Sequence, residues 1–123
     1  IIGARPGAGK TAFVTSTLAT MCDRHDASSS PMPPCLFISL EMDDDELLSR
    51  LICAMARVEF ETMMYGDVPH PDVLRAIYTA ADRIHAAPLE IDDETPRTVE
   101  QIAAEVYRWT RRKFRKGQRG GVV

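Results

Sequence analysis

The chain is expected to be α/β, a parallel sheet flanked by helices and entered through a glycine-rich loop. Two observations carry that expectation. Short apolar runs bounded by turn residues, residues 35–40 and 89–91, alternate with longer segments whose apolar residues recur at helical spacing. A glycine-rich turn, Ala4-Arg5-Pro6-Gly7-Ala8-Gly9-Lys10-Thr11, stands directly before the first helical segment. Strands alternating with helices imply βαβ units, parallel pairing and right-handed crossovers.

Ile1 and Ile2 read as the end of an apolar strand feeding the loop. A helix is expected over residues 11–23, burying Phe13, Val14, Leu18 and Met21. Residues 25–34, rich in serine and proline, make an exposed loop, because serine competes with helix and proline blocks it. Residues 35–40 are almost wholly apolar, as in a strand buried on both faces of a parallel sheet, and Glu41 stands at its C-terminal end.

Asp43 followed three residues later by Glu46 resembles a capping box, opening a helix with Leu47, Leu48, Leu51, Ile52, Met55 and Val58 inward. Residues 59–71 hold Gly66, Pro69 and Pro71 and form a connector with a short helical piece near 62–65. Proline suits a first helical turn, so the next helix starts near Pro71 and Asp72. It buries Val73, Leu74, Ile77, Ala81 and Ile84, and Pro88 stops it.

Residues 89–91 form a brief strand running into Asp92-Asp93-Glu94. Thr98 with Gln101 caps a last helix bearing Val99, Ile102, Ala103, Val106, Trp109 and Thr110. Gly120 and Gly121 then release the chain into a β-branched strand at Val122 and Val123. With Ile rather than Met at position 1, these ends predict one domain cut from a longer protein.

A hydrophobic content of 45% in 123 residues suffices for one buried core. A net charge of -3 neither predicts nor excludes a nucleic-acid partner. Cys22, Cys35 and Cys53 are odd in number and lack any C-x-x-C pair, which argues against a disulfide framework or zinc site and for a reducing cytoplasm. No apolar run is long enough to cross a bilayer, so no membrane partner is expected.

The loop satisfies G-x-x-x-x-G-K-[ST] at Gly9, Lys10 and Thr11, with Ala4 where the first glycine usually stands. Such a loop turns its backbone N–H groups onto phosphate at a helix N-terminus, where the macrodipole favours negative charge. Gly7 and Gly9 permit the backbone angles this needs. Lys10 reaches the terminal phosphates as a point charge, and the Thr11 hydroxyl ligates Mg²⁺ beside bound ATP.

Glu41 has two readings. A carboxylate at the C-terminal edge of a parallel strand faces the ligand crevice and can activate water; equally, Glu41 can begin a solvated acidic turn that caps the next helix. The basic run Arg108, Arg111, Arg112, Lys113, Arg115, Lys116 and Arg119 suits DNA phosphates, with Trp109 or Phe114 stacking on bases, but the helix C-terminus and the apolar position of Trp109 explain it better. His25, His70 and His85 share no metal-ligand spacing and are assigned no role. Met55, Met63 and Met64 are expected to fill core gaps.

Taken together, Ala4-Arg5-Pro6 leading to Gly9-Lys10-Thr11-Ala12-Phe13, then Phe37-Ile38-Ser39-Leu40-Glu41-Met42, resemble the motor domain of DnaB-type replicative helicases. Arg50-Leu51, Ala56-Arg57-Val58 and Pro88-Leu89-Glu90-Ile91-Asp92-Asp93 resemble the same family, which also has alanine at the position of Ala4. Ile38, between Phe37 and Ser39, departs from its usual wording.

The resemblance implies a partial RecA-like ATPase domain over residues 1–123, from the phosphate loop to the start of the Walker B strand. It also implies ATP-driven movement on single-stranded DNA, a homo-hexamer, and primase and helicase-loader partners. A bacterial or phage-encoded cytoplasmic protein is expected. Glu41 matches the family's general base. A recombinase-type ATPase, a P-loop kinase and a non-hydrolysing ATP sensor remain open alternatives, and the piece alone is expected to hydrolyse little.

Overall fold

The computed structural model describes residue 5, residues 9–25, 28–66, 70–94 and 97–114, and the backbone of 121–122. Its elements run α1 (Lys10–Asp23), β1 (Cys35–Ile38), α2 (Asp44–Ala56), α3 (Phe60–Tyr65), α4 (Pro71–Ala86), β2 (Leu89–Asp92), α5 (Val99–Lys113) and β3 (Gly121–Val122). The strands form one parallel sheet in the order β2-β1-β3. The expected strand at Ile1 and Ile2, together with Asp26, Ala27, Pro69, Gly120 and Val123 of the connecting segments, lies outside the described residues.

Side-chain alternation along a strand divides the molecule into layers. Cys35 and Phe37 of β1, with Leu89 and Ile91 of β2, face a core that also holds Leu18, Cys22, Leu47, Leu51 and Ile84 from α1, α2 and α4. α2 packs against both α1 and α4. Leu36 and its register partner Glu90 therefore point to the opposite face. There Arg112 and Lys113 of α5 reach Glu90 at 2.7 and 2.5 Å, placing α5 on that side.

Local chemistry sets the helix ends. Asp43 accepts from the Glu46 backbone N–H at 2.8 Å, Pro71 occupies the first turn of α4, and Thr98 with Gln101 forms a complete capping box. α2 stops at Ala56, short of the expected Val58, because Arg57 turns left-handed at φ 57° and the Val58 N–H bonds the Cys53 carbonyl. β1 stops at Ile38 rather than residue 40 because Ser39 begins a side-chain-clamped turn. β2 runs one residue further than expected, to Asp92, whose carbonyl accepts from Ser39 N–H.

Four expectations about burial are corrected. Phe13 is 58% exposed, since five residues separate it from Leu18, about 140° around a helix; Thr15 goes inward instead, its hydroxyl donating to the Thr11 carbonyl. Val99, Ala103 and Thr110 are exposed, while Ile102 and Val106 are half-buried and Trp109 is buried. Met64 is exposed, whereas the Met63 sulfur takes the Cys53 thiol at 3.4 Å. The loop after α1 is anchored: Met32 is buried, and its N–H donates to His25 Nδ1 at 3.0 Å, giving that histidine a structural role. His70 also acts, accepting from the Asp72 N–H at the start of α4.

All three cysteines are buried and free. Burial, and then the neighbouring Cys35, pushes the Cys22 thiol up to about 11; burial also raises Cys35 and Cys53. Nucleophilic thiolate is therefore scarce at neutral pH. In the native protein these three thiols should resist alkylation by iodoacetamide at pH 7.5 and react only after denaturation, as peptide mass spectrometry can report.

Burial raises the Glu90 carboxyl, but the hydrogen bond and charge of Lys113 and those of Arg112 outweigh it and hold Glu90 below the usual carboxylate range. A depressed folded value stabilises above the unfolded value of about 4.3 and is lost as pH falls through the folded one. Glu90→Gln should speed amide exchange in α5 at pH 6, and the gap from wild type should narrow progressively as pH falls below about 4.

Candidate functional site

The C-terminal end of β1 opens onto the start of α1. Gly9 takes φ 81°, ψ 26° at the N-cap of α1, and its carbonyl accepts from the Phe13 N–H at 2.9 Å. A Cβ there would meet only Ala12 Cβ at 3.9 Å, so conformation rather than space calls for glycine. No side chain caps α1 and no acid lies in its first turn, in contrast to α2, α4 and α5, capped by Asp43, His70 and Thr98. A helix start of this kind suits an anion.

Across from it, Ser39 is 5% exposed and its hydroxyl both donates to the Met42 carbonyl, at 2.5 Å, and accepts from the Met42 N–H, at 3.1 Å. That clamp folds Leu40 and Glu41 into a tight turn. Lys10, Thr11 and Val14 from α1 and residues 37–42 line one cleft of about 290 Å³. The structure thus brings together Lys10, Thr11 and Glu41 of the residues singled out from the sequence. Arg5 is exposed and does not line this cleft, and Ala4, Pro6, Gly7 and Ala8 lie outside the described residues.

As expected, Asp43 caps α2, and the next N–H, of Asp44, is taken by Asp93 Oδ2 at 3.1 Å. Glu41 is exposed in the cleft and has no hydrogen bond or ion pair among the described residues. The acidic turn is divided: Asp43 serves the helix, Glu41 faces the cleft.

Sequence reasoning missed three residues that shape this region. Ser39 was read as part of a strand and Asp93 as part of an acidic turn, each within a segment that carries the family resemblance but without a role of its own, and Arg97 was not singled out. Arg97 bridges Asp92 and Glu94, with its side chain 10% exposed, and the Asp92 contact leads in holding the guanidinium protonated. Ser39 and Arg97 bond side chains or backbone three to five residues away, whereas Asp93 takes the Asp44 N–H across 49 residues.

The basic run is occupied by its own chain. Arg112 and Lys113 pair with Glu90, Arg108 with Glu105, and Arg111 lies over the Tyr107 ring at 5.7 Å. Trp109 is 1% exposed with its ring edge-on to Phe114 at 5.4 Å, unavailable for stacking on a base. Arg115, Lys116 and Arg119 lie outside the described residues. Among the described residues no three His, Cys, Asp or Glu side chains gather as metal ligands.

A parallel sheet flanked by helices, with a cleft at the C-terminal end of β1 where a lysine, a threonine and a glutamate meet, defines the class of α/β proteins. The chain belongs to the family described as DnaB-like helicase C terminal domain, which it matches over residues 1–118. It is 34% identical over 112 residues to the replicative DNA helicase DnaB of Leifsonia xyli subsp. xyli, covering 91% of this chain and 23% of that protein. Against the replicative DNA helicase DnaB of Buchnera aphidicola subsp. Acyrthosiphon pisum identity is 29% over 111 residues, 88% of this chain and 23% of the relative. Against the replicative DNA helicase DnaC of Bacillus subtilis it is 27% over 108 residues, 88% and 22%. The chain thus spans less than a quarter of the length of these relatives.

Gly9→Ala should cost about 1–2 kcal/mol through the left-handed backbone alone. The loss should appear as faster amide exchange confined to the first turns of α1 in hydrogen-exchange mass spectrometry.

Proposed function

We propose that this chain is part of the RecA-like ATPase motor of a replicative DNA helicase, in which ATP hydrolysis drives movement on single-stranded DNA and duplex unwinding. Residues 1–123 form part of that motor domain, from the phosphate loop to the start of the Walker B strand. The observation that carries the reading is the single cleft in which Lys10 and Thr11 face the turn bearing Glu41. Family membership supports the helicase context.

In this reading Ala4, Arg5, Pro6, Gly7, Ala8 and Gly9 form the loop around the phosphates of ATP, all but Pro6 offering a backbone N–H. Lys10 neutralises the terminal phosphates, and the Thr11 hydroxyl holds Mg²⁺. The donor set fits: the Lys10 ammonium and the N–H groups at the start of α1 suit phosphate anions, and the Thr11 hydroxyl oxygen suits Mg²⁺. Mg²⁺, held by Thr11, would offset the negative charge that develops on the phosphates. Glu41, in the cleft and without a partner among the described residues, orients the attacking water and accepts its proton.

The motor works as a homo-hexamer in a bacterial or phage-encoded cytoplasmic system, engaging single-stranded DNA and meeting a primase and a helicase loader. In the full-length protein, Glu41→Gln should keep ATP affinity within about twofold while turnover falls by roughly 10²–10⁴, the usual worth of a positioned base. Lys10→Ala should instead abolish nucleotide binding in an equilibrium titration. Unchanged hydrolysis in the Glu41 variant would remove that residue from the mechanism.

A further inference from the structure

We infer that Asp93 is a positioning residue for Glu41, tying the turn that carries Glu41 to the end of β2. The inference rests on the reading of Glu41 as the group that orients water. Glu41 sits between two fixed points. On one side Ser39 is pinned by its N–H to the Asp92 carbonyl at 2.8 Å and by its hydroxyl to Met42. On the other, the first helical residue of α2, Asp44, donates its N–H to Asp93 Oδ2 at 3.1 Å, across 49 residues of sequence.

Asp92 ends β2 and Asp93 follows it, so both ends of the turn are fastened to the same two consecutive residues. Removing the Ser39 contacts would disturb the sheet itself; removing the Asp93 contact frees only the α2 end. α2 does not need Asp93 to start, because Asp43 already caps it through the Glu46 N–H. The Asp93 contact therefore adds placement rather than helix formation. A carboxylate that must aim a water loses rate steeply when it shifts by an ångström.

Three variants of the full-length protein test this by steady-state ATP hydrolysis and equilibrium ATP binding. Asp93→Ala should lower kcat on the order of tenfold with KM and ATP affinity within about twofold. Asp93→Asn, whose Oδ1 accepts the same hydrogen bond, should restore kcat to within about twofold of wild type. Asp44→Pro deletes the donor instead: proline suits the first helical position, and Asp43 before it is already extended at φ -72°, ψ 167°. It should reproduce the Asp93→Ala loss with Asp93 intact.

Adding Asp93→Ala to Glu41→Gln should slow hydrolysis no further, because a misaimed base that is already absent has nothing to lose. The inference is overturned if Asp93→Ala keeps wild-type kcat, if kcat and ATP affinity fall together, or if Asp93→Asn is as slow as Asp93→Ala. Should Glu41→Gln hydrolyse at the wild-type rate, the reading of Glu41 fails and this inference with it. Should Glu41→Gln be inactive while Asp93→Ala is unimpaired, this inference alone fails.

Discussion

The pairing of β1 with β2 sets the position of everything else. Cys35 lies opposite Leu89 and Ile38 opposite Asp92, and the ladder continues at both ends through the Pro88 carbonyl to Cys35 N–H and the Asp92 carbonyl to Ser39 N–H. Because side chains alternate, a slip of one residue would send Cys35 and Phe37 to the face of α5 and strand Leu36 in the core of α1, α2 and α4. The same register aligns the C-terminal ends of the two strands. Ser39 and Asp92 finish side by side, and the turn bearing Glu41 starts next to the segment bearing Asp93.

Much of this frame was legible locally. The apolar run at 35–38, the capping residues Asp43 and Thr98, and Pro71 at the start of α4 each act through neighbours a few residues away. Lys10, Thr11 and Glu41 were legible as a motif and a strand end, and the cleft brings all three together. What stayed hidden depends on distance along the chain or on exact angle. Apolar spacing placed Phe13 inward although it points away from Leu18; no local pattern shows that Arg57 turns left-handed. Asp93 could not be paired with the Asp44 N–H before the strand register was known.

Acidic residues crowd the start of α2, with Asp44, Asp45 and Glu46 in its first turn behind the Asp43 cap. Such crowding is tolerated because the helix dipole and the exposed N–H groups favour negative charge there. Geometry then separates carboxylates that composition cannot. Asp43 and Asp93 each take a backbone N–H, Glu46 pairs with Arg50 at 2.6 Å, and Arg50 in turn lies over Phe60 at 4.6 Å. Glu41, one turn upstream of these contacts, is left to the cleft.

On the far side of the sheet the docking of α5 turns on Trp109, 1% exposed, whose Nε1–H finds no acceptor among the described residues. A buried donor without a partner costs about 1–3 kcal/mol, which the apolar contact of so large a ring must offset. Trp109 is also the one tryptophan in the 123 residues. An indole shielded from water and from hydrogen bonding emits at shorter wavelength than a hydrated one. The chain therefore carries its own optical gauge: a red shift of that emission marks α5 leaving the sheet.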